Sequence, residues 1–150
     1  MLVALTIGAL IPLGVGFAVA LSAGGLVTPP SATLSSEGGE VTAARGAWCW
    51  TARGQHHCGA AAADAAGRAP VLEVSRDHPT VEVRFDIRQV PASLSITRPG
   101  PGGTGGQGVT VVGRNPGRFV ATSLPDGTVV SVRAAWPEGY ATYLARLRLT

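Results

Sequence analysis

Thr80-Val81-Glu82-Val83-Arg84-Phe85-Asp86-Ile87, or TVEVRFDI, alternates apolar and polar residues after its first position. Successive side chains of an extended strand leave opposite faces, so Val81, Val83, Phe85 and Ile87 point one way and Glu82, Arg84 and Asp86 the other. A helix would mix these charges into the apolar stripe. The stretch reads as a strand with one face buried and one in water, and it decides the fold class. Such a strand must lay its apolar face against a second layer.

Outward from this strand the same period recurs. Val71–Ser75 precedes it; Ser93–Thr97, Val109–Val112 and Arg118–Thr122 follow. Asp126-Gly127 reads as a turn that opens a strand over Val129–Trp136. Trp136-Pro137-Glu138-Gly139 closes that strand, and Ala141, Tyr143, Ala145, Leu147 and Leu149 then alternate against Thr142, Arg146 and Arg148. The chain holds 21 glycines and 11 prolines, which favours short strands and turns over long helices. Alanine-rich residues 59–69 lack an apolar stripe and are expected to form a loop with at most a helical turn or two. The expected fold is all-β: an antiparallel immunoglobulin-like β-sandwich of about seven or eight strands over residues 40–150, with a small barrel as the runner-up.

Two segments precede the sandwich. Residues 1–27 carry no charge and approach the roughly 20 apolar residues that span a bilayer core, so they read as a transmembrane anchor or signal segment. Cleavage after the small residues near Ala23 would release the domain. Leu21-Ser22-Ala23-Gly24 resembles a lipoprotein box, but Gly24 stands where the lipid-bearing cysteine would be. Residues 28–39 are polar, small and turn-rich, and read as a tether. The expected location is the cell membrane with the domain on the extracytoplasmic side, or outside the cell if residues 1–23 are removed.

The charge pattern argues against nucleic acid. The net charge is +3 and every basic residue is arginine, but the arginines are scattered among acidic residues rather than gathered on one face. Gly103-Thr104-Gly105-Gly106-Gln107-Gly108 matches the dinucleotide fingerprint in letters only. That chemistry needs a helix next, and Val109-Thr110-Val111-Val112 reads as a strand. Asp77-His78 would offer a base beside a carboxylate, and Asp64 is near His56 and His57 in sequence. Asp77-His78-Pro79 is more simply a turn. No nucleophile, base and orienter come together, so no enzymatic activity and no cofactor are expected.

Gly46-Ala47-Trp48-Cys49-Trp50-Thr51-Ala52-Arg53-Gly54-Gln55-His56-His57-Cys58 holds both cysteines. A turn over Thr51–Gln55 would set Cys49 opposite Cys58, within reach of a disulfide. The competing chemistry is a copper or zinc site from Cys49, His56 and Cys58, with His78 as a further ligand. The Cys-x8-Cys spacing lacks the short knuckle of structural zinc sites, and His57 would face away. The disulfide is therefore the expected state. Trp48 and Trp50 share a strand face and are expected in the core. Their other reading is an exposed platform for a sugar or peptide, with Arg53 and His56 beside it.

Trp48-Cys49-Trp50…Cys58 and the closing hairpin Ala135–Tyr143 resemble motifs of small bacterial envelope proteins and lipoproteins. These have a membrane signal, a tether and one β-sandwich. The resemblance implies location and fold; the group has no settled activity. The expected function is a membrane-tethered or secreted binding module whose partner is a protein or small ligand.

Overall fold

The computed structural model describes residues 27–99 and 106–150. The expected anchor over residues 1–27 lies, apart from Val27, outside the described residues, as does most of the glycine-rich loop. Among the described residues the structure is all-β. Its strands are β1 (Ala32–Ser36), β2 (Gly39–Thr42), β3 (Ala44–Ala52), β4 (Gln55–Gly59), β5 (Val71–Val74), β6 (Thr80–Phe85), β7 (Ser93–Pro99), β8 (Gly106–Gly108), β9 (Val111–Val112), β10 (Asn115–Val120), β11 (Val129–Trp136) and β12 (Gly139–Leu149). One sheet has the order β2-β1-β6-β10-β9. The other runs β4-β3-β12-β11-β7-β8, with β5 also paired to β12.

The apolar faces of the two sheets meet in one core. Leu34, Val81, Val83 and Phe119 come from the first sheet, and Trp50, Leu72, Val132, Tyr143 and Leu147 from the second. In β6 the expected faces hold: Val81 and Val83 are buried, Glu82 is half-buried and Arg84 is exposed. In β12, Ala141, Tyr143, Ala145 and Leu147 are all buried. Trp136 lies edge-on to Trp50 and Phe85, at ring-centroid distances of 5.6 and 5.0 Å. Such edge-to-face pairs set positive ring edges against negative ring faces.

Three expectations are corrected. The first is the tether, whose residues 32–36 form β1, between β2 and β6. Ala32 and Leu34 are fully buried. The chain before them is fastened too: the Tyr143 hydroxyl donates to the Pro30 carbonyl at 2.6 Å, and Arg45 Nη2 donates to the Pro29 carbonyl at 2.7 Å. Burial pushes the Tyr143 phenol well above its ordinary range, and the nearby Asp86 charge adds to this against the opposing effect of Arg45. The phenol thus stays a donor. Two apolar residues among Ser, Thr and Gly are too few to announce a strand.

The second correction is the strand number, twelve among the described residues rather than seven or eight. The excess includes β1, β2 and the short β8, none of which is expected as a strand from the sequence, whereas β9 falls within the expected Val109–Val112. The third is that the sheets are not wholly antiparallel. β5 runs parallel to β12 over Arg146–Leu149, while β3 pairs the same strand over Gly139–Leu144. At eleven residues, β12 is long enough to serve both in turn. Residues 63–68 form turns and no helix.

Candidate functional site

The cysteine hairpin is built from its turn outward. Ala52 pairs with Gln55, leaving Arg53-Gly54 as a two-residue loop with both φ values positive, 52° and 75°. That combination marks a type I′ turn, whose twist matches the flanking strands. It sets the register Cys49↔Cys58, Trp50↔His57, Thr51↔His56. Cys49 and Cys58 form a disulfide with Cα atoms 4.0 Å apart. A closed loop of this size contributes roughly 2.5–3 kcal/mol in the chain-entropy model.

The register sorts the expected site residues onto two faces. Trp50 lies on the inner face at 0% exposure, so no ring face is left for a ligand. Trp48 is half-buried, with its indole across Gly59: a Cβ there would come within 2.2 Å of Trp48 Nε1. Trp48 and Trp50 therefore do not form an exposed platform, and Arg53 sits on the exposed turn, away from Trp50. The outer face brings Cys49, Cys58, Thr51 and His56 together. Thr51 Oγ1 is 3.0 Å from His56 Nδ1, and His56 Nε2 is 3.4 Å from Cys58 Sγ. His57 opposes Trp50 and is exposed.

His78 does not join them. Its Nδ1 meets Glu37 Oε2 at 2.6 Å, at a polar depression lined by Ser35, Asp77, Glu82 and Arg118. Its partner is thus Glu37 rather than its neighbour Asp77, whose backbone N–H is taken by Ser75 Oγ. Asp64 pairs with Arg68 and not with either hairpin histidine.

A second candidate was not legible in the sequence. Phe85, Ile87, Val90, Leu94 and Pro116 line a groove of about 380 Å³, where β7 of one sheet faces β6 and β10 of the other. The backbone explains the opening. β10 pairs with β6 only from Arg118 onward, since Pro116, two residues earlier, has no N–H to donate to a ladder. The rim segment that follows β6 is held where the Trp136 indole donates to the Gln89 carbonyl at 3.3 Å. Val90, on that rim, is 81% exposed.

Comparison of the chain with known protein families, curated proteins and solved structures finds no match.

The groove's charge is one-sided. The described lining residues include Arg84 and Arg88 and no carboxylate. Arg84 Nη2 is engaged at 3.1 Å by Ser35 Oγ, with Glu40 at 4.0 Å. Arg88 is exposed and has no hydrogen-bond or ion-pair partner among the described residues. An apolar trough of this size with a free guanidinium at its mouth has the shape and polarity of a small-ligand site. Val90-Pro91, an apolar pair in a segment too irregular to be a core strand, is the nearest sequence trace of it, and that pair alone does not place a groove.

Proposed function

We propose that this chain is a membrane-tethered or secreted extracytoplasmic binding module whose groove takes an anionic amphiphile, a ligand with an apolar tail and a carboxylate. The observation that carries the reading is the apolar groove with Arg88 at its rim, unpaired among the described residues. An anionic head would find a guanidinium there and no competing carboxylate, while the tail would displace water from Phe85, Ile87 and Leu94. The disulfide supports an oxidising compartment, and the uncharged run over residues 1–27 supports attachment to a membrane. The immunoglobulin-like reading rests on the facing sheets. The disulfide ties neighbouring strands of one sheet, unlike that fold's inter-sheet bridge.

Titrating the full chain in mild detergent with a fluorescent long-chain fatty acid should give saturable binding at one site. Phe85 touches Trp136, so tryptophan emission should change in step. Leu94→Glu should abolish binding, and Arg88→Ala should weaken it about tenfold, since a charge-assisted hydrogen bond contributes about 1.5–3 kcal/mol. Equal binding by the wild type and both variants would place the ligand elsewhere. The attachment half is checked separately. The full chain should stay with the membrane fraction after a carbonate wash, and recovery of a soluble species cut near Ala23 would make residues 1–23 a signal peptide.

A further inference from the structure

The outer face of the β3–β4 hairpin gathers two sulfurs and an imidazole whose ligand atoms all lie within 4.8 Å of one another. We propose that this face is a redox-gated copper(I) site. It is closed while Cys49 and Cys58 are bridged, and it is formed by Cys49 Sγ, Cys58 Sγ and His56 Nε2 once a dithiol reduces the bridge. The proposal does not depend on the groove.

The ligands are positioned by the backbone and not only by the bond between them. Cys49 and Cys58 are direct partners in a ladder that continues through Trp50↔His57, Thr51↔His56 and Ala52↔Gln55, so both thiols stay opposed after reduction. Thr51 Oγ1 sits on His56 Nδ1. With the ring proton on Nδ1 and donated to that oxygen, Nε2 presents its lone pair toward Cys58. This is the arrangement in which a ligand histidine is fixed by a hydrogen bond at its other nitrogen.

The chemistry balances simply. Cys58 is the exposed sulfur of the pair, and a donor thiolate attacks it, expelling Cys49 as thiolate. The donor's second thiol resolves the mixed disulfide. The donor leaves as a disulfide, and this chain gains two electrons and two protons as two thiols. Cu⁺ then displaces both thiol protons and takes two thiolates and one imidazole. Soft thiolates select copper(I), which is content with three ligands. A structural zinc ion asks for four. Among the described residues no fourth histidine, cysteine or carboxylate belongs to the group, and His78 is held by Glu37 on the other sheet.

The test uses the full chain in detergent, without a histidine tag, reduced anaerobically with a phosphine and titrated with copper(I) against a chromogenic chelator. The reduced protein should take up one copper(I) per chain, with a thiolate-to-copper charge-transfer band in the ultraviolet, and the oxidised protein should take up none. His56→Gln should weaken binding about tenfold or more. Thr51→Val should weaken it about tenfold, as loss of a histidine's supporting hydrogen bond does. His57→Gln, on the opposite face, should bind as the wild type does. Equal uptake by oxidised and reduced protein, no uptake by either, or equal losses from His56→Gln and His57→Gln would overturn the proposal. So would a reduced chain that loses its β-type circular dichroism and does not regain it with copper.

Discussion

Val83→Asp should unfold the sandwich or come close to it, whereas Arg84→Ala, one residue along the same strand, should cost about 0.5 kcal/mol or less. Val83 is 8% exposed and belongs to the core shared by both sheets. A carboxylate there would lose its water. Its neighbours along the buried face of the strand are Val81 and Phe85, which offer no cation. The penalty for an unpaired buried charge is several kcal/mol, roughly 4 or more, against a domain stability of about 5–15. Arg84 reaches Ser35 and Glu40 in solvent, where such contacts contribute little.

The pH dependence of the Val83→Asp variant gives a second check. Burial raises the folded-state pKa of the new carboxyl above its unfolded value near 3.9. The native state then holds more protons between the two values, so stability falls as pH rises through that window. The deficit should therefore shrink as pH is lowered toward about 4. Urea unfolding followed by circular dichroism measures both effects. Similar losses at Val83 and Arg84 would mean that the faces of β6 are assigned the wrong way round.

The parts of the fold that could be read from the sequence are those where one short stretch carries its own pattern. β11 runs over Val129–Trp136 as its residues alone indicate, and β12 keeps its alternation to Leu149. In both, apolar residues recur at every second position over eight residues or more. β1 has the same period, but Ala32 and Leu34 stand among Thr and Ser, and its place is set by Val41 on one side and Val83 on the other. Val41 lies just across a short turn, but Val83 is far along the chain, and a partner so distant leaves no local mark.

The site residues divide in the same way. Cys49 opposite Cys58 is expected from the sequence, but the turn is tighter than the expected Thr51–Gln55: Arg53-Gly54 alone forms the loop, and Thr51, Ala52 and Gln55 belong to the strands whose register it sets. The same register puts Thr51 opposite His56, and this contact follows from the hairpin alone. How deeply each tryptophan lies does not. Trp48 and Trp50 have the same parity, but only Trp50 meets Trp136 from the next hairpin. The groove is further still from any local signal. It exists because Pro116 releases β10 from β6 while the segment after Phe85 crosses to the other sheet.

Gly139→Ala should destabilise the protein by roughly 3–5 kcal/mol, more than its small size suggests. Gly139 begins β12 directly after the Pro137-Glu138 turn and pairs with Trp50 of β3. Its φ is 155°, a region that side chains rarely adopt, and a Cβ would come within 2.1 Å of the Cys49 carbonyl oxygen. That neighbour is backbone and cannot rotate away. The Thr51 N–H also donates to the Glu138 carbonyl at 2.8 Å, so relieving the clash means pulling β12 off the cysteine hairpin. Gly127→Ala separates the two causes. Its φ is 76°, but no atom lies within 4 Å of the added carbon, so only backbone strain of about 1–2 kcal/mol is expected. Urea midpoints of the two variants should therefore differ by a clear margin in favour of Gly127→Ala. Equal losses would show that β3 does not approach β12 this closely, and the hairpin's seat on the second sheet would have to be redrawn.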